Sequence, residues 1–170
     1  MNPTKETSSL SYLNATGHIP YGMTNDYMFR LILEKNNYVL KGLICSLLSL
    51  TPEKITSVEI QNPILLNETV KDKEFILDIK VLMNDSAIIN LEMQMAYMLN
   101  WRERSLSYLC RAFDQLSHGQ LYDNVKPAIH IGFLNFNPTP DDKPEFYASY
   151  KLLNEKTHAA YSDKFILRVV

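Results

Sequence analysis

The stretch "FILDIKVLMNDSAIINLEMQ", residues 75–94, reads as two strand-like runs around a polar turn. Side chains alternate along a strand, so residues two apart share a face. Phe75, Leu77, Ile79, Val81 and Met83 then form one face of the first run, with Ile76, Asp78, Lys80 and Leu82 on the other. In the second run Ala87, Ile89, Leu91, Met93 and Met95 oppose Ile88, Asn90, Glu92 and Gln94. Each strand therefore has one apolar face and one face that turns polar at one end. A one-residue slip would expose a whole apolar face, so matched faces require paired residue numbers with an even sum. A loop of Asn84, Asp85 and Ser86 gives the sum 170. That register sets Asp78 opposite Glu92, Lys80 opposite Asn90 and Gln94 opposite Ile76.

Working outward, the hairpin sits in a chain of 170 residues, 46% hydrophobic and 21% charged, enough to bury the core of one domain. The net charge of -2 supplies no global positive field, which excludes a protein held on a polyanion by its overall charge. Any nucleic-acid contact must be local. Cys45 and Cys110 lie in helical apolar patterns without metal spacing and read as two reduced core thiols, so a disulfide framework is not expected. No apolar run approaches about 18 residues, and the N-terminus lacks the pattern of a signal peptide. The expected setting is cytoplasmic, with no membrane partner.

Residues 1–20 are polar and aperiodic and read as an N-terminal tail; the domain is expected over 21–170. "TNDYMFRLILEKNN" offers Thr24 or Asn25 as a cap and Phe29, Ile32 and Leu33 as an apolar stripe ending at Asn36 and Asn37. "YVLKGLICSLLSL" repeats the pattern up to "TPEK", and "ITSVEI" is a strand. "NWRERSLSYLCRAFDQLSHG" predicts a helix from Asn100 to Gly119 with Leu106, Leu109, Cys110, Phe113 and Leu116 on one side. Arg104, Tyr108, Arg111 and Gln115 fall on the opposite side. "PAIHIGFLNF" is a buried strand in which His130 reads as a core histidine rather than a ligand. After the proline-rich "NPTPDDKPE" loop come two further strands, "FYASYKLL" and "KFILRVV". The order of helix, helix, three strands, helix, three strands predicts a mixed α+β or α/β fold rather than a βαβ array. "KFILRVV" stops within a strand pattern, so a domain truncated at its C-terminus is expected.

Two carboxylates facing each other about 5 Å apart across a ladder repel and raise one another's pKa. A divalent cation relieves that repulsion, and hard oxygen donors suit Mg²⁺, which can polarise a phosphoryl oxygen. Lys80 or Gln94 alongside could orient an attacking water. The constellation reads as a metal-dependent phosphodiesterase site. A solvated edge hairpin with Lys80 neutralising the two acids would alternate in the same way. Arg104 and Tyr108 are candidates for phosphate contact on the following helix, against a merely solvated helix face. Asp26 is a further candidate ligand from the first helix, although a first-turn Asp also suits the helix dipole.

Asp78, then Glu92-x-Gln94 after an apolar run, resembles the PD-(D/E)XK nuclease superfamily. "LDIK", "INLEMQ", Arg104 with Tyr108, "HGQLYDNVKPAIHIGFLNF" and the early "TNDYMFR" are similar to its recombination-promoting nuclease and transposase branch. The resemblance implies a restriction-endonuclease-like core, a central mixed sheet flanked by helices. It also implies Asp78 and Glu92 as ligands of Mg²⁺ or Mn²⁺, and an endonuclease with DNA as its partner, with a homodimer as one possible assembly. The superfamily's usual lysine is Gln94 here, so its role is lost or passes to Lys80 on the neighbouring strand. An inactive nuclease-like domain that binds nucleic acid or a protein is the alternative.

Overall fold

The computed structural model describes residues 16–17, 22–62, 78–139 and 143–170. The expected tail, apart from 16–17, together with Tyr21 and strand positions 75–77, lies outside the described residues. Asn25 opens helix α1 (Asp26–Lys35) by accepting a hydrogen bond from the Met28 amide at 3.0 Å. Asn36 then closes α1 and caps α2 (Asn37–Leu48), its side chain accepting from the Val39 amide at 3.1 Å. One residue thus divides two apolar stripes into two helices.

Strands β2 (Ile79–Met83) and β3 (Ala87–Gln94) form the expected hairpin, with Met83 opposite Ala87 and Lys80 opposite Asn90. Asn84 and Asp85 in its turn have φ of 52° and 50°, a left-handed region that Asn and Asp tolerate better than most residues. The Asn84 side chain accepts from the Thr56 and Ser57 amides at 2.8 and 3.1 Å and donates to the Lys54 carbonyl at 2.8 Å. Those bonds fasten β1 (Val58–Ile60) alongside β2.

The sheet is six-stranded in the order β1-β2-β3-β4-β6-β5, where β4 is Ala128–Leu134, β5 Ala148–Lys151 and β6 Phe165–Val169. The β3–β4 and β4–β6 pairs are parallel and the others antiparallel. Helix α3 (Trp101–Phe113) carries the chain between the parallel strands β3 and β4. On one face Ile79, Val81, Ile89, Leu91 and Ile131 meet Phe29, Leu33 and Ile44 of α1 and α2. On the other, Ile88 and Ala128 meet Leu109 and Ala112 of α3. The result is the mixed α/β arrangement expected, a sheet between helices. Among the described residues no helix is long and apolar enough to cross a membrane.

Helix α3 departs from its sequence reading in two ways. It ends at Phe113 rather than Gly119, because Gln115 takes over the end of the helix. Its amide donates to the Ala112 and Lys126 carbonyls at 2.7 and 3.1 Å, turning the chain toward β4. The buried stripe is also rotated to Trp101, Ser105, Leu109 and Ala112, leaving Leu106 and Cys110 exposed. Gly132 of β4 makes room for the rotation. A Cβ there would stand 2.3 Å from Cζ2 of Trp101, so only glycine lets the indole pack this closely on β4. Cys45 is buried and Cys110 is not, so only one of the two expected core thiols is in the core.

Candidate functional site

Strand β3 is covered on both faces, and Asn90 and Glu92 on its polar face are only 4% exposed each. Buried polar groups need internal partners, and α3 with β4 supplies them. Glu92 Oε1 accepts from Arg104 Nε at 2.8 Å, and Arg104 Nη2 donates to the Tyr108 hydroxyl at 3.1 Å. The guanidinium carbon lies 4.9 Å from the centre of the Tyr108 ring, which stacks on His130 at 5.7 Å with the planes 11° apart. The Asn90 amide donates to His130 Nδ1 at 3.0 Å, leaving the ring proton on Nε2. That nitrogen faces Glu92 Oε2 at 3.5 Å, too long for a hydrogen bond. Among the described residues both atoms are buried without a hydrogen-bond partner. His130 is thus a core histidine only on its Nδ1 side.

Asp78 directly precedes β2. Ile79 pairs with Leu91, so the same register runs Asp78 toward Glu92 on the face that carries Lys80 and Asn90. Its position is held through its backbone: the Asp78 carbonyl accepts from Arg30 Nη1 at 2.7 Å and from Asn62 Nδ2 at 3.0 Å. Arg30 is 3% exposed in α1, and its Nε also reaches Glu34 at 2.7 Å. Asn62 Oδ1 accepts from the Lys80 amide at 2.7 Å. Helix α1 therefore anchors the end of β2 where the carboxylate stands.

Burial raises the pKa of Asp78 above the usual carboxylate range, against the lowering pull of its own backbone amide, Arg30 and Arg104. Burial raises Glu92 as well; the Arg104 bond and charge oppose this, while the charges of Asp78 and Asp26 add to it. Asp26, too, is raised by burial. His130 is pushed down to about 4 by burial and by Arg104.

Asp78, Lys80, Asn90, Tyr108 and Arg111 line one cavity of about 270 Å³. The Lys80 side chain is exposed. Gln94 is turned aside, its amide donating to the Ala96 carbonyl at 2.8 Å. Asp26 reaches the group through its charge on Glu92. Among the described residues no three His, Cys, Asp or Glu side chains stand close enough together to hold a metal ion. Arg104 and Tyr108 lie over the sheet, not on a solvated helix face, because α3 is rotated. Sequence reasoning missed Arg30, Asn62, Asn90 and Trp101 as supports. An Arg beside Phe29 and Leu33 was the one visible signal; the others depend on long-range contacts.

A mixed sheet between helices, with an acid at the start of one strand in register with a Glu on the next, defines a nuclease-like core of the PD-(D/E)XK class. The chain belongs to the PD-(D/E)XK nuclease family transposases, whose family model matches residues 23–169. It thereby stands among nuclease-like proteins of transposition. No curated protein and no solved structure matches the chain.

Proposed function

We propose that the chain is a divalent-metal-dependent DNA endonuclease that hydrolyses phosphodiester bonds in transposition or recombination. One observation carries this reading: among the described residues Glu92 Oε2 is buried without a hydrogen-bond partner, and the charges of Asp78 and Asp26 bear on its carboxylate. Arg104 occupies only Oε1. The donors are hard carboxylate oxygens, which fit Mg²⁺ or Mn²⁺. Asp78 and Glu92 would hold the ion, and Asp26 bears on the pair through its charge alone. When bound, such an ion supplies charge neutralisation at the scissile phosphate. The chain's own residues do the rest. Lys80 takes the charge-stabilising role that the superfamily's lysine has elsewhere, and Gln94, its amide nitrogen held by the Ala96 carbonyl, orients water through its side-chain oxygen. Arg104 and Tyr108 support the phosphate side of the site, Arg104 also fixing the rotamer of Glu92.

A second reading, an inactive nuclease-like domain that binds DNA or protein, is favoured by the engagement of Gln94 with the Ala96 backbone. Plasmid nicking with Mg²⁺ or Mn²⁺ separates the two. The parent protein is expected to nick, and Asp78→Ala to lose at least on the order of a hundredfold in rate, the scale of a lost acid-base or charge-stabilising group. A parent that binds DNA but does not nick with either metal would establish the second reading.

A further inference from the structure

The carboxylate cavity does not end at Arg111. Lys80 and Arg111 also line an adjoining cavity of about 550 Å³ that runs between β2 and the end of α3 as far as Lys126. The two form one groove leading away from Asp78. The adjoining cavity is lined by the half-buried Leu82 and Leu116 and by the edge of the buried Ile88, and there Lys80, Arg111 and Lys126 bring positive charge against one acid, Asp114. Among the described residues the side chains of Lys80 and Arg111 have no ion-pair or hydrogen-bond partner, and Lys126 is engaged only by the exposed Asp85 at 2.7 Å. Arg104, by contrast, is committed to Glu92 and Tyr108.

We infer that this groove binds a single nucleic-acid strand beside the scissile phosphate, so that the substrate class is DNA with an unpaired segment. A duplex keeps its base faces stacked inside and presents phosphates, sugars and base edges, which leaves an apolar wall no ring face to contact. A single strand presents both phosphates and bare base faces. Cationic side chains beside apolar surface match what such a strand offers. The inference rests on the nuclease reading for the position of the scissile phosphate, but strand binding needs neither metal nor cleavage.

The test is fluorescence anisotropy in EDTA with a labelled oligo-dT and a duplex of the same length. The parent is expected to bind the single strand on the order of tenfold more tightly. Arg111→Glu with Lys126→Glu is expected to weaken that binding by tenfold or more. Removing two phosphate contacts should also flatten the salt dependence by about 1.4 in log-log slope. Lys151→Glu, on the far strand β5, is expected to bind like the parent. Arg111→Gln with Lys126→Gln replaces the charge-reversed pair if that pair fails to melt cooperatively. Equal or tighter binding of duplex, parent-like binding by the charge variants, or no binding at all overturns the inference. A plasmid-nicking failure alongside intact strand binding would sink the nuclease reading and leave the groove standing.

Discussion

At the scale of residues, the site is a set of carboxylates held at a cost. A carboxyl group whose folded pKa is raised stabilises the fold when protonated, and that contribution is lost as pH rises through the raised value. Once ionised, Asp78 and Glu92 therefore weigh against folding, since burial raises both. Asp78→Asn should accordingly melt higher than the parent at pH 7 in EDTA. A rise of about 2–4 °C corresponds to about 1 kcal/mol in a domain of this size. The difference should shrink as the pH falls into the carboxylate range, where the parent's Asp78 also becomes neutral. A large drop in melting temperature at pH 7 would instead show that Asp78 holds the fold together. This alignment was legible in the sequence because strand alternation has a period of two and the loop length fixes its phase. The clamp from Arg30 and Asn62 was not, because it joins α1, the end of β1 and the start of β2 across the tertiary fold.

At the scale of elements, the docking of α3 depends on one missing methyl group. Gly132→Ala would press a Cβ into the Trp101 indole, whose Cζ2 would stand 2.3 Å away. The indole is 2% exposed beneath the helix and cannot move without shifting it. A loss of about 1–3 kcal/mol is expected, the usual range for overpacking, measured by urea denaturation. Arg104 and Glu92 should be loosened along with it. Trp101→Leu in the same background should recover part of the loss by making room. Unchanged stability in Gly132→Ala would mean that α3 is not held by this contact. The helix itself was legible from its apolar spacing. Its rotation was not, since Leu106 and Cys110 satisfy a helical stripe as well as Ser105 and Ala112 do, and the deciding glycine lies on another element. For the same reason the hairpin could be registered from local alternation, whereas the parallel neighbours of β3 and β4 could not.

For the whole molecule, His130 sits at the centre, wholly buried in β4 between β3 and β6. Its pKa is depressed from 6.5 to about 4, so the stability of its neutral form is complete above pH 6.5 and lost as pH falls toward 4. At about 1.4 kcal/mol per pKa unit this amounts to roughly 3 kcal/mol, a large share of a typical domain's stability. Melting temperature should therefore fall for the parent between pH 6.5 and 4. His130→Gln, which can still accept from Asn90 but cannot take up a proton, should show a flatter profile. Parallel profiles would show that acid acts elsewhere. The sheet order has a consequence for synthesis. Among the described residues β5 pairs with β6 alone, and β6 lies between β5 and β4. On the ribosome, β5 emerges before the only strand that can receive it, while β1, β2 and β3 already have theirs. Until Phe165–Val169 arrives, the edge of β4, which carries Ile129 and Ile131, stays bare. A nascent chain paused between Lys151 and Phe165 is thus the species most in need of a chaperone.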